Sequence, residues 1–241
     1  NKIEIKLTLM TIKKAMILAA GFGKRMLPLT EHTPKSLIKI GPKNLLERSI
    51  ELLIKIGINE LVINTHYLSD KIDSFLKSRN YGISINIVKE DELLDTGGGV
   101  LNATKKFENS PFFILNPDTI WNKNYYEELK ILENSYLDNN KSILLIVDKN
   151  ISYDKSFTGD FNFTNNNHLI RENNNQYIFT GAQIVNRSIF KGIEKKNFSM
   201  NLAWDQLLKE KKLLGQESNQ TFFHVNSFKI YEELNKLKFI D

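Results

Sequence analysis

Cysteine is absent from the 241 residues. That removes disulfide scaffolds, zinc–thiolate sites, iron–sulfur clusters and cysteine nucleophiles together. No apolar run comes near the roughly 18 residues that cross a bilayer as a helix, so a cytoplasmic protein with no membrane partner is expected. An excess of one charge is missing too. Lysine plus arginine is 33 against 28 aspartate plus glutamate, a net +5. Residues 1–14 hold Lys2, Lys6, Lys13 and Lys14 against Glu4 and so supply three of those five charges. The remainder is no footprint for nucleic acid. This leader alternates Ile3, Ile5, Leu7 and Leu9 with polar residues. It lacks a long apolar core and a small-residue cleavage site, so it reads as an upstream extension with Met10 a natural start.

What is present is the composition of a globular domain, 41% hydrophobic and 25% charged. A chain of this length buries about 70–75% of its unfolded surface, and one domain over 1–241 is expected. Ala15–Leu18 reads as a buried strand running into Ala19-Ala20-Gly21. Residues 44–56 have helical apolar spacing and stop at Gly57, a helix-end signal. Strands follow at Glu60–Asn64, around Ile83, Ile85 and Ile87, at Phe112–Leu115, at Ile143–Val147 and at Gln176–Asn186. Helices are predicted at Ser69–Lys77, from the glycine run 97–99, and at 123–137. Strands alternating with helices predict an α/β fold, a mixed, mostly parallel sheet with helices on both faces. Residues 150–176 are polar and asparagine-rich, either a surface excursion or a hairpin and lid over a pocket. Helical stretches at 187–195 and 203–212, a strand at Phe222–Val225 and a last helix from Ser227 complete the reading.

Three clusters carry the chemistry. Gly21 and Gly23, directly after a buried strand, let backbone N–H groups approach an anion. Lys24, Arg25 and Lys35 add three cations at the carboxyl end of that strand, where ligands of open α/β sheets bind. The dinucleotide fingerprint fails because Met26 stands where a small residue is needed, and the P-loop pattern is absent. The cluster is a phosphate site of another kind or a solvated basic turn. Asp95-Thr96-Gly97-Gly98-Gly99 is either a ligand loop or a tight turn that starts a helix. Asn116-Pro117-Asp118 ends a buried strand. Its carboxylate suits Mg²⁺, which takes one or two carboxylates plus substrate phosphates, unless Asp118 merely closes a turn or caps a helix. His66 is expected to be a satisfied loop histidine and Trp204 a core residue.

The run Leu18-Ala-Ala-Gly21-x-Gly23-x-Arg25-Met26-x-Pro28-Leu29-Thr30, followed by Thr33-Pro34-Lys35-x-Leu37, resembles the signature of the sugar-1-phosphate nucleotidyltransferases. Thr96 to Gly99, Gly159-Asp160-Phe161 and the short C-terminal end are similar to the small bacterial uridylyltransferases of N-acetylmuramate 1-phosphate. The resemblance implies a Rossmann-like nucleotidyltransferase fold and attack of a sugar 1-phosphate on the α-phosphate of a nucleoside triphosphate, with Mg²⁺ and release of pyrophosphate. It implies that Gly21, Gly23, Lys24, Arg25 and Lys35 hold the triphosphate, with Lys35 near the α-phosphate. Thr96 and Gly98 would lie against the base, and Asn116 and Asp160 would face the sugar, with residues 150–200 forming the sugar side. Asp118 would hold the metal. Relatives carry a second aspartate near the C-terminus where this chain has His224, and imidazole is a poor ligand for Mg²⁺. Asp118 is therefore expected to be the one firm protein ligand. UTP with N-acetylmuramate 1-phosphate is the first expectation, and GTP with a mannose or heptose 1-phosphate the second. Pro117 and the altered C-terminal run leave a third, a nucleotide-sugar sensor that binds without catalysis.

Overall fold

The structure is a computed structural model and describes residues 11–237. Seven strands form the main sheet: β1 Lys14–Ala19, β2 Glu60–Thr65, β3 Ser84–Lys89, β4 Phe112–Leu115, β5 Ser142–Asp148, β6 Tyr177–Val185 and β7 Leu213–Ser218. Their order across the sheet is β7-β5-β6-β4-β1-β2-β3. β1 runs parallel to both β2 and β4, β2 to β3, and β7 to β5. β6 alone runs antiparallel to its neighbours β4 and β5. The expected mixed, mostly parallel sheet is thus observed.

Among the described residues six α-helices complete the sheet: α1 Leu45–Ile56, α2 Ser69–Lys77, α3 Asp95–Ala103, α4 Tyr125–Asn139, α5 Met200–Lys209 and α6 Phe228–Lys236. The period-2 alternation of strand side chains divides the apolar residues between two faces. Ala15 and Ile17 of β1, Phe113 and Leu115 of β4 and Ile143 and Leu145 of β5 share one core with α1, α2 and α4. The residues between them, Met16, Phe112, Ile114, Leu144 and Ile146, share the opposite core with α3 and α5. Strands apolar on both faces are what a sheet covered on both sides requires. A third, smaller core joins Met26, Ile38, Ile40 and Leu45 to Val225, Ile230 and Leu234, so α6 lies over the glycine loop after β1.

Several expected elements are corrected. The Phe222–Val225 strand is absent; Phe222 and His224 make isolated bridges to Ser152 and Thr119. The edge strand is instead Leu213–Ser218, whose Gly215 and Gln216 weaken the β signal in sequence. The 203–212 helix begins earlier, at Met200, capped by Ser199, whose side chain accepts from the Asn201 N–H. The 187–195 helix shrinks to one turn, Arg187–Phe190. Within 150–176 a two-residue hairpin pairs Asn162–Phe163 with Leu169–Ile170. The expectation for the leader falls largely on residues 1–10, outside the described residues. Its last part is folded in: Ile12 is 3% exposed, and its N–H donates to Glu133 Oε1 at 2.6 Å.

β6 changes register against β5 between Phe179 and Gln183. Gly181 sits in that bulge at φ 97°, a conformation that side-chain-bearing residues resist. A Cβ there would stand 2.9 Å from the Cβ of Asn116. The Gly181 carbonyl also accepts from the Asn116 N–H at 2.8 Å. Gly181→Ala is expected to cost about 1–3 kcal/mol of stability, read as a lower urea midpoint at unchanged slope.

Candidate active site

β1 is the point where the chain's progress across the sheet reverses, with β2 on one side and β4 on the other. Ligand crevices form outside the carboxyl ends of strands at such points. A cavity of about 350 Å³ opens there, lined by Leu18 to Gly21, Gly23 to Met26, Lys35, Ser36, Thr96, Asn116 to Asp118 and Asn226. The structure thus brings Gly21, Gly23, Lys24, Arg25, Lys35, Thr96, Asn116 and Asp118 onto one cavity.

The glycine loop is fixed from behind. Met26, which spoils the dinucleotide fingerprint, is fully buried in the third core. The Gly23 carbonyl accepts from Thr30 Oγ1 at 2.9 Å and from the Met26 N–H at 2.8 Å. Lys24 lies over the Phe22 ring, 5.4 Å from its centroid. Arg25 is exposed, and its guanidinium makes no hydrogen bond or ion pair among the described residues.

Lys35 is committed differently. Its Nζ donates to Asp118 Oδ2 at 2.6 Å, an ion pair with both side chains about one-fifth exposed. His224 Nε2 lies 3.6 Å from the same oxygen. Burial by itself pushes the Asp118 carboxyl up; His224 and Lys35 more than offset it and hold it at about 2. For His224 burial is the dominant influence and keeps its pKa below the ordinary value, with Lys35 and Arg25 adding to the lowering and Asp118 opposing it. Lys35 and His224 thus both face the Asp118 oxygen that the ion pair uses. The imidazole stacks on Phe222 at 5.5 Å and meets Phe157 edge-on at 5.8 Å.

The segment 223–226 reaches the cavity because its backbone is laced to the residues after β4. The Ile120 N–H donates to the Phe223 carbonyl at 2.9 Å, and the Val225 N–H donates to the Asp118 carbonyl at 2.7 Å. Asn226 then lines the cavity, with its Nδ2 donating to Asp154 Oδ2 at 2.7 Å. Sequence reasoning missed Asn226, Asp154 and Ser36. Their residue types are common in turns, and no local spacing links 154 to 226.

Two expected site residues are elsewhere. The Gly98 N–H donates to the Phe198 carbonyl at 3.0 Å. A Cβ at Gly98 would meet the Lys196 carbonyl oxygen at 2.3 Å. The glycine run lets α3 pack closely against 196–198, and the Gly98 amide is not free to read a base. Asp160 is outside the cavity lining; its Oδ2 accepts from the Phe179 N–H at 2.8 Å. His66 Nδ1 pairs with the Glu90 carbonyl at 2.8 Å. Trp204 is buried, with its Nε1 donating to Gln183 Oε1 at 3.1 Å. Both match their sequence reading.

No cluster of three or more metal-binding His, Asp or Glu occurs among the described residues. The chemistry of the cavity nevertheless fits a hard cation. Asp118 Oδ1 and Asn226 Oδ1 are both buried and have no hydrogen-bond partner. Buried acceptors without donors are rare and mark places that a ligand, ion or water completes.

With this geometry in place, comparison with known proteins is direct. The model of the Nucleotidyl transferase family matches residues 14–153, and the chain belongs to that family. It is 38% identical over 113 residues to the N-acetylmuramate alpha-1-phosphate uridylyltransferase of Caulobacter vibrioides, covering 45% of this chain and 47% of that one. It is 39% identical over 111 residues to the mannose-1-phosphate guanylyltransferase catalytic subunit beta of Xenopus tropicalis, covering 44% and 31%. The matches thus span less than half the length of these curated relatives. Among solved structures, a UDP-glucose pyrophosphorylase complexed with UDP-glucose is similar at TM-score 0.75 and 19% identity, over 93% of this chain and 97% of that one. HddC from Yersinia pseudotuberculosis complexed with GMP-PN is similar at TM-score 0.74 and 24% identity, over 93% and 99%. These likenesses show the fold. No helix among the described residues is long and apolar enough to cross a membrane.

Gly98→Ala separates packing from base reading. It is expected to lower stability by about 1–3 kcal/mol through forced movement of 196–198, or about 2–4 °C of Tm per kcal/mol. The order of preference among nucleoside triphosphates is expected to stay the same in a binding titration.

Proposed function

We propose that this chain transfers a uridylyl group from UTP to a sugar 1-phosphate, with N-acetylmuramate 1-phosphate the first acceptor to test. A phosphate oxygen of the acceptor forms a bond to the α-phosphorus; the bond from that phosphorus to the bridging oxygen breaks, and pyrophosphate leaves with the electron pair. The observation that carries this reading is the meeting of Arg25, Lys35 and Asp118 on one cavity at the carboxyl ends of β1 and β4. Such a reaction needs positioning and charge neutralisation rather than a covalent intermediate. Arg25, unpaired and exposed, would bind the triphosphate. Gly21 and Gly23 would bring backbone N–H groups to it. Lys35, tethered to Asp118, would be held at a fixed point beside the reacting phosphorus. Asn116 would face the sugar. Asp118 would hold Mg²⁺, which when bound neutralises charge on the phosphates.

The uridylyl choice is supported by the likeness to the Caulobacter enzyme. A second reading, guanylyl transfer, is favoured by the 39% identity to a mannose-1-phosphate guanylyltransferase over a stretch of similar length. A pyrophosphate-release screen of four nucleoside triphosphates against a panel of sugar 1-phosphates separates them. Release with UTP and N-acetylmuramate 1-phosphate is the expected result. Release only with GTP selects the second reading, and no release with any pair leaves a binding protein.

Arg25→Ala is expected to lower kcat/KM by about 10²–10³, or about 2.7–4 kcal/mol of transition-state stabilisation. Its Tm is expected to stay within about 2 °C, because an exposed side chain without a partner contributes within about 0.5 kcal/mol. Asp118→Ala is expected to abolish metal-dependent turnover. Steady-state pyrophosphate release and thermal melts check both variants.

A further inference from the structure

We propose that the buried pair Asn64 and Glu90 positions the walls of the cavity for the nucleoside triphosphate, by locking the turn at 94–96 to the end of β1. The inference deepens the nucleotidyl-transfer reading and rests on it.

Asn64 is the fifth residue of β2, and Glu90 directly follows β3. They are 2% and 3% exposed. Asn64 lines the cavity, as do Ala19, Asp95 and Thr96, whereas Glu90 lies outside the lining. Glu90 is therefore a positioning residue and not a ligand contact.

The hydrogen bonds through the pair have a fixed direction. The Ala19 N–H donates to Asn64 Oδ1 at 3.0 Å, which orients the amide. Asn64 Nδ2 then donates to Glu90 Oε1 at 2.7 Å. The Leu94 N–H donates to Glu90 Oε2 at 3.1 Å. Glu90 is itself held by its main chain: its N–H donates to the Thr65 carbonyl at 2.7 Å, and its carbonyl pairs with His66 Nδ1 at 2.8 Å. Position 90 thus has to accept at both side-chain oxygens. A carboxylate does so, and an amide accepts at one end only.

The third glycine of the run belongs to the same arrangement. A Cβ at Gly99 would stand 2.8 Å from Asn64 Nδ2 and 2.9 Å from Glu90 Oε1. A residue without a side chain lets α3 lie directly on the pair. A buried charged group is tolerated only when its hydrogen bonds are made, and the bonds that Glu90 makes tie β1, β2 and the start of α3 into one rigid wall. A wall fixed in advance leaves less ordering to be done when a ligand binds.

The test compares Glu90→Gln with the reciprocal double variant Asn64→Asp/Glu90→Gln. In the single variant two N–H groups face each other whichever way the new amide turns. In the double variant the carboxylate at 64 accepts from the Ala19 N–H and from the amide at 90, and the oxygen of that amide accepts from the Leu94 N–H. Every bond is then restored with one donor reversed. Kd for UTP and for GTP is read by titration calorimetry. Glu90→Gln is expected to raise the Kd of the preferred triphosphate about 10-fold, the order of effect of one mispaired buried hydrogen bond. The KM for the sugar 1-phosphate is expected to stay unchanged, and the double variant to return Kd to the wild-type value. If the single variant does not fold, the double variant decides alone: wild-type affinity supports the proposal and weakened affinity overturns it. Hydrogen exchange of the wild-type chain needs no variant, and the Ala19 and Leu94 amides are expected to be protected before nucleotide is added. Unchanged Kd in Glu90→Gln, a double variant no better than the single one, an equal rise in the acceptor KM, or fast exchange at Leu94 overturns the proposal. Pyrophosphate release by wild type is scored separately. If wild type binds a triphosphate but releases no pyrophosphate with any substrate pair, the transfer reading falls and the Kd comparison still decides this proposal; if it binds neither UTP nor GTP, both fall.

Discussion

The contact on which the site depends is the ion pair between Lys35 and Asp118. It joins residues 83 positions apart, one on the loop that follows β1 and one beyond the end of β4. Partly buried charges are tolerated only when paired. Each therefore fixes the other, and the cationic loop is held against the strand-end carboxylate. His224 faces the same carboxylate from the C-terminal segment, so three separate stretches of chain converge on one oxygen atom.

The surroundings make that convergence possible. The parallel arrangement of β1 and β4 puts both of their carboxyl ends at one edge of the sheet. The third core, with Met26 against Val225 and α6, seats the loop and the C-terminal segment on each other. The Gly181 bulge leaves room for Asn116 beside them. Apolar packing outside the cavity thus positions the polar groups inside it. Arg25 is the exception: it lines the cavity exposed and without a hydrogen bond or ion pair among the described residues.

The polar groups divide the two ends of one carboxylate between different tasks. A lysine and a histidine face one oxygen, and the other oxygen is buried without a partner. Asn226 repeats the pattern with an amide, its nitrogen spent on Asp154 and its oxygen open.

The sequence by itself determined the sheet's central strands, the basic glycine loop after β1 and the strand-end aspartate. These signals are local: a short apolar run, two glycines and three cations between Gly21 and Lys35, a carboxylate shortly after a strand. The family resemblance rested on Leu18 to Leu37, with Thr96 to Gly99, Gly159 to Phe161 and the short C-terminal end beside them. Tertiary structure alone decided the rest. The three-glycine run looks like a ligand loop in sequence, yet Gly98 faces the Lys196 and Phe198 carbonyls, 98 residues or more away. Phe222 to Val225 has a strand's composition but makes only isolated bridges, because the edge position beside β5 is taken by Leu213–Ser218. Asn226 and Asp154 are unremarkable turn residues until a hydrogen bond spanning 72 positions pairs them. Local propensity reports what a segment can form; which partner satisfies a buried N–H or oxygen depends on contacts distant in sequence, and those exist only once the chain has closed around its cores.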